Sequence, residues 1–414
     1  MFDELFKQQA TVERYWKAPY AESRVRFLKR ASEDGYSRSM LERIAWALLV
    51  VAEAVNLDAG SVTAKRLEKA LRQRARYRVS ANSSDSECTR RILLHFGEAW
   101  LRNIGAFAPD PKPPLIFAVE LEAFTEHMRV ERGLSPATIR ARDQSLRWFF
   151  ASLPPDIRTL GDVTVSQIDD FLDGQAHRGW TRRSLHALAC CLRSFFRYAA
   201  HQGWCSSNLE RGIELPRVYA LEDVPRAPSV EEVKRVLDAT STKDDPVKIR
   251  DHAVLLLLVL YGLRCGEVER LTLDDLDWDE EQIHVTRPKI RRAQCYPLSA
   301  VVGDAILRYL RKARPRCSHR ALFITIDAPF RPLSAQGVRT MVRRRLTEQG
   351  VQLKRCGAHC LRHACAGQLL DAGFTLKQIA DHLGHRSLNT TRIYTKIDLH
   401  GLRQAAEFDI GGLL

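Results

Sequence analysis

Apolar side chains recur at helical spacing between residues 115 and 215, and this period restricts the stretch to packed α-helices. The first apolar stripe consists of Phe117, Leu121, Phe124 and Met128. Ser135 and Pro136 form a helix start signal, because serine caps free helix amides and proline is tolerated at the first helical position. Further helices are predicted to open at Val165 and after Thr181. The whole stretch is therefore predicted to be helical.

Proline-rich linkers divide the chain into three parts. The first linker contains Pro109, Pro111, Pro113 and Pro114, and the second spans residues 203–228. Proline clusters interrupt regular structure and mark such connections. We expect a first module at residues 1–108, a middle module at 115–215 and a last module at 226–414.

The first module resembles a diverged copy of the middle one, because three sequence anchors recur in the same order. The anchors pair Gly35-Tyr36-Ser37 with Gly133-Leu134-Ser135, residues 60–71 with 161–172, and Thr89-Arg90-Arg91 with Thr181-Arg182-Arg183. Internal self-similarity of this kind is the signature of a repeated structural unit. We predict that the first module is an extra helical module that arose by duplication.

The last module mixes helices with a small amount of strand. Residues 282–286 alternate polar and apolar side chains, and residues 294–298 follow after a basic turn, which predicts an antiparallel hairpin. Capping boxes at Ser229 and Thr375 predict helix starts, and Ser387 is predicted to cap a short helix that carries Tyr394. The predicted fold class is mainly α: two small all-helical modules, then an α-rich α+β module with a small antiparallel sheet.

The charge balance favours a polyanionic partner. The chain carries a formal charge of +14, and nucleic acid is the usual partner of so basic a protein. A solvated basic surface is the alternative. The same two interpretations apply to the basic stretch of residues 72–78, which either contacts phosphates or is simply hydrated.

Cysteine usage and the N-terminus are typical of a soluble cytoplasmic protein. The ten cysteines show no framework spacing, which favours reduced thiols over disulfides. Zinc-ligating residue types are interleaved at Cys356, His359, Cys360, His363 and Cys365, but the two ligand pairs of a zinc knuckle are absent. We expect no metal and no cofactor. An acidic start and no apolar run of membrane length argue against a signal peptide and a membrane span.

Cleaving a DNA phosphodiester without a metal requires a specific set of groups. Cations and hydrogen-bond donors must surround the phosphate as its negative charge develops. Arginine suits this task because its charge is permanent and its forked guanidinium matches the geometry of phosphate. A nucleophile, a base and an acid for the leaving oxygen complete the set.

Motifs in the last module combine these groups in one order. They are residues 262–268 (GLRCGEV), residues 359–363 (HCLRH), residues 383–387 (LGHRS) and Tyr394. Each motif alone is weak, but the ordered set resembles the tyrosine recombinase, or phage integrase, family. The resemblance covers the last module closely and the middle module by pattern, and the first module lies outside it.

The resemblance implies a role for each matching residue. Arg264 and Arg362 bind the scissile phosphate, His359 is the general base, and His385 donates to a non-bridging oxygen. Tyr394 is the nucleophile that forms a 3′-phosphotyrosyl link.

Two further residues complete the implied site. Glu267 orients Arg264 or His359 from behind, and Lys289 on the hairpin turn is the general acid. The turn lacks the glycines usual in the family, and Cys360 stands where the family often has an acid. Taken singly, these residues also have ordinary explanations, such as a surface Arg264–Glu267 pair or structural histidines; taken together, they indicate a catalytic site.

The family resemblance also implies an activity and partners. The middle module is expected to be a SAM-like core DNA-binding domain that closes around DNA with the catalytic last module. The implied activity is site-specific recombination through a Holliday junction, in a tetramer on double-stranded DNA with specific sites, for integration, excision or transposition of a mobile element. Accessory recombinases or DNA-bending proteins are expected further partners, and the expected location is the nucleoid. A type IB topoisomerase and a non-catalytic DNA-binding regulator are the alternatives.

Overall fold

The computed structural model describes residues 1–57, 60–73, 84–109, 115–219, 227–287, 292–352 and 357–384. Its contacts divide the chain into two compact units. One unit joins Met1–Pro109 to Asp223–Leu414, and the other is Asp110–Glu222. The first and last modules of the sequence therefore belong to the same unit, although each has its own apolar core.

The first module is a bundle around one central apolar helix. Its helices are α1 (Phe2–Leu5), α2 (Gln9–Lys17), α3 (Ala21–Glu33), α4 (Arg38–Ala54), α5 (Ala64–Gln73) and α6 (Ser84–Asn103). Helix α4 begins after Ser37, whose hydroxyl accepts the amide of Met40. Most side chains between Leu41 and Ala52 are buried, and a helix that is apolar on so many sides needs neighbours on several of them. Helices α1, α3, α5 and α6 supply those contacts.

The described residues of the middle module form helices joined by loops, with no strand among them, as predicted. Its helices are α7 (Ala118–Val130), α8 (Pro136–Ser152), α9 (Val165–His177), α10 (Arg182–His201) and α11 (Ser207–Gly212). The predicted caps Ser135 and Thr181 both accept a backbone amide in the first turn of their helices. The core is rich in aromatic rings, among which Phe149, Phe150 and Phe195 are almost fully buried.

Three pairs of helices in the first two modules have equal lengths. Helices α3 and α7 have 13 residues each, α4 and α8 have 17 each, and α6 and α10 have 20 each. One predicted anchor is wrong: Thr89 was expected to open a helix as Thr181 does, but it lies inside α6. Helix α6 begins five residues before Thr89 and packs against α3, α4 and α5, and these contacts stabilise a helix that continues through the Thr-Arg-Arg sequence.

The last module wraps several helices around the buried helix α13. Its elements are α12 (Val230–Thr240), α13 (Pro246–Leu260), α14 (Cys265–Val268), β1 (Leu276–Asp277), β2 (Gln282–Arg287), β3 (Arg292–Pro297), α15 (Ala300–Lys312), α16 (Ala335–Glu348), α17 (Ala358–Asp371) and α18 (Leu376–Leu383). Both predicted capping boxes, at Ser229 and Thr375, are formed. Helices α12, α15 and α17 pack against α13.

The sheet is antiparallel with strand order β1-β2-β3. The predicted hairpin is confirmed, with Gln282 opposite Pro297 and Arg287 opposite Arg292. Strand β1 was not predicted, because two residues are too few to show a period. The fold class is mainly α with a small antiparallel sheet, as expected from the sequence.

Among the described residues, no helix combines the length and the apolar character that crossing a membrane requires. Several predictions from the sequence fall outside the described residues. These are the basic stretch beyond Gln73, Lys289 on the hairpin turn, His385, Tyr394 and the short helix predicted after Ser387.

Candidate active site

The turn between α13 and α14 places Arg264 at the mouth of the candidate site. Gly262 has a φ of +59°, and a Cβ there would lie 2.5 Å from the Leu383 side chain, so the turn requires glycine. Arg264 follows as the N-cap of α14. The Arg264 side chain is 37% exposed, whereas the Glu267 side chain is 3% exposed. This arginine can therefore reach a ligand in solvent.

Glu267 holds Arg264 from the buried side. Its carboxylate accepts the Arg264 backbone amide at 2.8 Å and the Nη1 of the same residue at 2.8 Å. The Arg264 Nη2 also lies 3.5 Å from the Gly384 carbonyl oxygen. Glu267 follows Arg264 by three residues, a spacing that by itself is also compatible with a surface ion pair. In the structure, the carboxylate is instead buried beneath an accessible guanidinium.

Helix α17 contributes a second arginine to the same place. Arg362 is 2% exposed, and its guanidinium donates to the carbonyl oxygens of Gly262 and Leu383. These two acceptors come from the arginine turn before α14 and from the end of α18. The structure thus brings Arg264, Arg362 and the Leu383–Gly384 turn together.

His359 lies one helical turn before Arg362. Burial lowers its pKa below the ordinary 6.5, and the nearby positive charges of Arg362, Arg264 and Arg339 lower it further. The ring of His363 lies 6.2 Å from that of His359, and burial lowers the pKa of His363 to about 4. Both imidazoles are therefore neutral at pH 7, and a neutral imidazole can accept a proton.

The β2–β3 hairpin adds residues that the sequence did not predict. Arg287 at the end of β2 is 3% exposed and donates to the Leu383 carbonyl oxygen and to the Tyr296 hydroxyl. The Tyr296 hydroxyl in turn donates to the His382 carbonyl oxygen. A signal was present: Ile283 and Val285 face the core, so the strand period places Arg287 on the same inward face.

Charge at the site is strongly positive among the described residues. The guanidinium groups of Arg264, Arg287 and Arg362 converge near the single carboxylate of Glu267. This excess of cations suits a phosphodiester, whose negative charge increases as it is attacked. No cluster of metal-ligating side chains is present in the described ranges.

Three predicted residues lie outside the described part of the chain. Lys289 follows the last residue of β2 by two positions, and His385 directly follows Gly384, which ends α18 with a φ of +60°. Tyr394 comes nine positions after His385. The described residues therefore bring together Arg264, Glu267, His359 and Arg362.

Family profiles match two segments of the chain. The profile described as "Phage integrase family" matches residues 229–400, and "Phage integrase, N-terminal SAM-like domain" matches residues 121–203. The integrase/recombinase y4rA of Sinorhizobium fredii is 35% identical over 74% of this chain and 76% of its own length. The tyrosine recombinase XerC of Alcanivorax borkumensis is 31% identical over 69% of this chain and 91% of its own.

Solved structures show the same fold. The recombinase XerH bound to a palindromic difH substrate aligns with a TM-score of 0.53 at 18% identity, covering 82% of this chain and 94% of XerH. A lambda integrase dimer bound to a COC′ core site aligns with a TM-score of 0.53 at 17% identity, covering 67% of this chain and 94% of that integrase.

Proposed function

Because the chain belongs to the tyrosine recombinase (phage integrase) family, and is thus a site-specific DNA recombinase that acts through a covalent tyrosine intermediate, we propose that Tyr394 is its nucleophile. Arg264 and Arg362 hold the scissile phosphate. The observation that carries this assignment is the convergence of both arginines on the Leu383–Gly384 turn. The chain continues from that turn toward Tyr394.

His359 acts as general base in cleavage. Its lowered pKa keeps the imidazole unprotonated at neutral pH, so it can take the proton of the tyrosine hydroxyl. The tyrosine oxygen attacks phosphorus as its O–H bond breaks, and the bond from phosphorus to the 5′ oxygen of the leaving strand breaks in turn. In the reverse step, His359 returns the proton to the tyrosine.

Lys289 acts as general acid and His385 as a phosphate donor in this proposal. The 5′ oxygen leaves as an alkoxide unless it receives a proton, and an ammonium group can supply one. The described part of the hairpin supports the assignment, because the end of β2, two residues before Lys289, is bonded to the turn that precedes His385. Glu267 supports the site by orienting Arg264.

The three sequence modules correspond to three roles in the proposal. Residues 226–414 form the catalytic domain, and the profile match at residues 229–400 supports this division. Residues 115–215 form the core DNA-binding domain, supported by the match at residues 121–203. Residues 1–108 form an extra helical module, and its helix lengths support an origin by duplication.

The substrate is double-stranded DNA with specific recombination sites. XerH and lambda integrase were solved with such DNA, and a net charge of +14 suits the same partner here. Strand exchange proceeds through a Holliday junction within a tetramer, with accessory recombinases or DNA-bending proteins as further partners. The extra first module favours integration, excision or transposition of a mobile element, acting at the nucleoid in the cytoplasm.

The nucleophile is tested with a suicide substrate, a nicked duplex that loses a short strand after cleavage. Wild-type protein is expected to form a covalent adduct that survives denaturing electrophoresis, and Tyr394→Phe is expected to form none while binding DNA normally, because affinity comes from many phosphate contacts. The matched control is Tyr219→Phe, at an exposed tyrosine, which should leave the adduct unchanged. Adduct formation by Tyr394→Phe would assign the nucleophile to another residue.

The base is tested through the pH dependence of adduct formation. At limiting protein, the second-order rate reports the pKa of the free enzyme. Because the pKa of His359 is lowered, the rate should rise with pH along a limb centred below pH 6.5 and be level near neutrality. His359→Gln should be slower and lack this limb. An unchanged acid limb in His359→Gln would assign the titration to another group.

A further inference from the structure

Arg287 is a buried cation that the reaction scheme above does not use. Its side chain is 3% exposed, and its guanidinium donates to groups within the protein. Burying a guanidinium is costly unless acceptors surround it. Those acceptors are the Leu383 carbonyl oxygen and the Tyr296 hydroxyl. The Arg287 guanidinium also lies 5.9 Å from the centre of the Tyr296 ring.

The hairpin holds the carboxyl end of α18 through three side chains. Gln294 donates through Nε2 to the carbonyl oxygens of Asp381 and His382, at 3.0 and 3.2 Å. Tyr296 donates to the His382 oxygen, and burial raises the pKa of Tyr296 to about 12, so its proton stays in place. Arg287 bonds the next carbonyl, that of Leu383. The last carbonyls of a helix lack partners within it, and cations there also offset its dipole.

Arg287 also approaches the carboxylate that holds Arg264. The Arg287 Nε lies 3.6 Å from Glu267 Oε1, the same oxygen that accepts from Arg264 Nη1 at 2.8 Å. Among the described residues, the buried Nε–H has no hydrogen-bond partner. Two guanidinium groups therefore lie beside one carboxylate oxygen.

Gly384 fits this arrangement for a steric reason. It has a φ of +60°, and a Cβ at this position would overlap the Arg287 guanidinium. The guanidinium thus fills the space that a side chain on the turn would take. The Arg287 side chain, at the end of β2, therefore lies against both Glu267 and the Leu383–Gly384 turn.

We propose that Arg287 is a positioning residue that locks the Leu383–Gly384 turn to the hairpin and so fixes the proposed His385 and Lys289 around the phosphate. This inference rests on the proposed function, because it acts through residues assigned there. Arg287 connects the two segments on which those residues lie, which are separated by 96 positions in the chain.

The first test replaces Arg287 with methionine, which keeps most of the unbranched apolar stem and removes the charged guanidinium. Adduct formation on the suicide substrate is measured in single turnover with saturating protein. Arg287→Met is expected to slow it about 10- to 100-fold, because small misplacements of reacting groups have effects of that size. DNA affinity should stay within about two-fold, because phosphate contacts elsewhere dominate it. Arg287→Lys should be intermediate, since lysine can still bond the Leu383 oxygen.

The matched control is a second buried arginine in the same module. Arg345 pairs with Asp251 and Glu348, and its side chain is 8% exposed. Arg345→Met should lower the unfolding midpoint without slowing cleavage by the folded protein. A merely structural role for Arg287 predicts that both variants behave in this way.

A double variant separates positioning from general damage. Gly384→Ala alone should slow cleavage, because its Cβ displaces the Arg287 guanidinium. Combined with Arg287→Met, it should add less than its own effect, because the overlap with the guanidinium is then absent and only the backbone strain at φ +60° remains. Effects that multiply independently would overturn the proposed lock.

The outcomes distinguish this inference from the proposed function. If wild-type protein forms no adduct, the proposed function fails. If wild-type protein forms adduct and Arg287→Met forms it equally fast, only the inference fails. Should Arg287→Met not fold, Tyr296→Phe replaces it, because it removes one hydroxyl that bonds both Arg287 and His382. A wild-type cleavage rate in Tyr296→Phe would then overturn the lock.

Discussion

Helix α3 of the first module and helix α7 of the middle module each begin after an aromatic residue in the left-handed region, Tyr20 at φ 58° and Phe117 at φ 63°. Glycines with positive φ also follow corresponding helices, Gly35 in the first module and Gly133 in the middle one. The corresponding helices of the two modules therefore have the same backbone geometry at both ends. Its persistence in both modules supports duplication of one structural unit.

Core positions of the central helices follow the same register. Leu41, Leu48 and Val51 of α4 correspond to Ile139, Leu146 and Phe149 of α8, and all six are buried. The middle module uses larger rings at some of these positions. The first module instead has two additional helices before α3, and their residues Phe2 and Tyr15 join its core. The two modules therefore bury different side chains at corresponding positions of their cores.

The surfaces differ more than the cores. The Phe330 ring of the last module lies against Gly35, and the Phe330 amide donates to the Asp34 carbonyl oxygen at 3.0 Å. A Cβ on Gly133 would meet nothing within 4 Å. The Gly35 turn thus contacts the last module, whereas the Gly133 turn has open space around it. The two turns therefore share their backbone geometry and differ in their surroundings.

Arg24 gives the largest expected difference between the modules. It is fully buried where the middle module has Leu121, and it donates to the carbonyl oxygens of Tyr15, Ala18 and Pro19. Arg24→Leu should destabilise the first module by about 3–5 kcal/mol, because buried carbonyls lose their donors. Urea unfolding of the full chain, with hydrogen exchange to locate the change, measures it. Exposed Arg26→Leu is the control, and equal effects would remove this distinction.

The Gly35 turn gives the next largest effect. Gly133→Ala should cost about 1–2 kcal/mol from left-handed strain alone. Gly35→Ala should cost about 1–3 kcal/mol more, because its Cβ overlaps the Phe330 ring. Thermal unfolding of both variants measures the difference, and Phe330→Ala should remove the excess. Equal costs at the two glycines would show that the contact with Phe330 adds nothing.

Helix caps should show no difference between the modules. Ser37 and Ser135 each accept an amide in the first turn of the corresponding helices α4 and α8, both at 3.3 Å. Replacing either serine with alanine should cost about 1 kcal/mol. Urea unfolding of the two variants provides the comparison. If the two substitutions change the free energy of unfolding by amounts that differ by more than the standard error, the two helix starts are not equivalent.

Surface charge should have the smallest effect on stability and a measurable one on DNA binding. Helix α5 exposes Lys65 and Lys69, whereas the corresponding helix α9 exposes Asp169 and Asp170. We expect Lys65→Gln with Lys69→Gln to reduce the slope of log affinity against log salt by up to about 2, as lost phosphate contacts do. Asp169→Asn with Asp170→Asn should not reduce it. An unchanged slope in the lysine variant would place α5 away from DNA.

Much of this protein follows from short stretches of sequence. The predicted caps at Ser135, Thr181, Ser229 and Thr375 are all formed, because a cap depends on a few neighbouring residues. The hairpin followed from alternation and the helices from their period. The arginine and histidine motifs were recognisable for the same reason, since each is contained in a few consecutive positions.

Other features depended on contacts between distant segments, and only the tertiary structure decided them. Thr89 carries a plausible start signal but lies within α6, because the surrounding bundle stabilises a longer helix. The pairing of Gly35 with Phe330 and of Arg287 with Leu383 joins residues far apart in sequence. A short sequence pattern cannot specify which distant residue will contact Gly35 or Arg287, because only folding of the chain brings the contacting residues together. The sequence by itself determined the helices and the chemistry of the motifs, and the fold determined which cations surround the turn before His385.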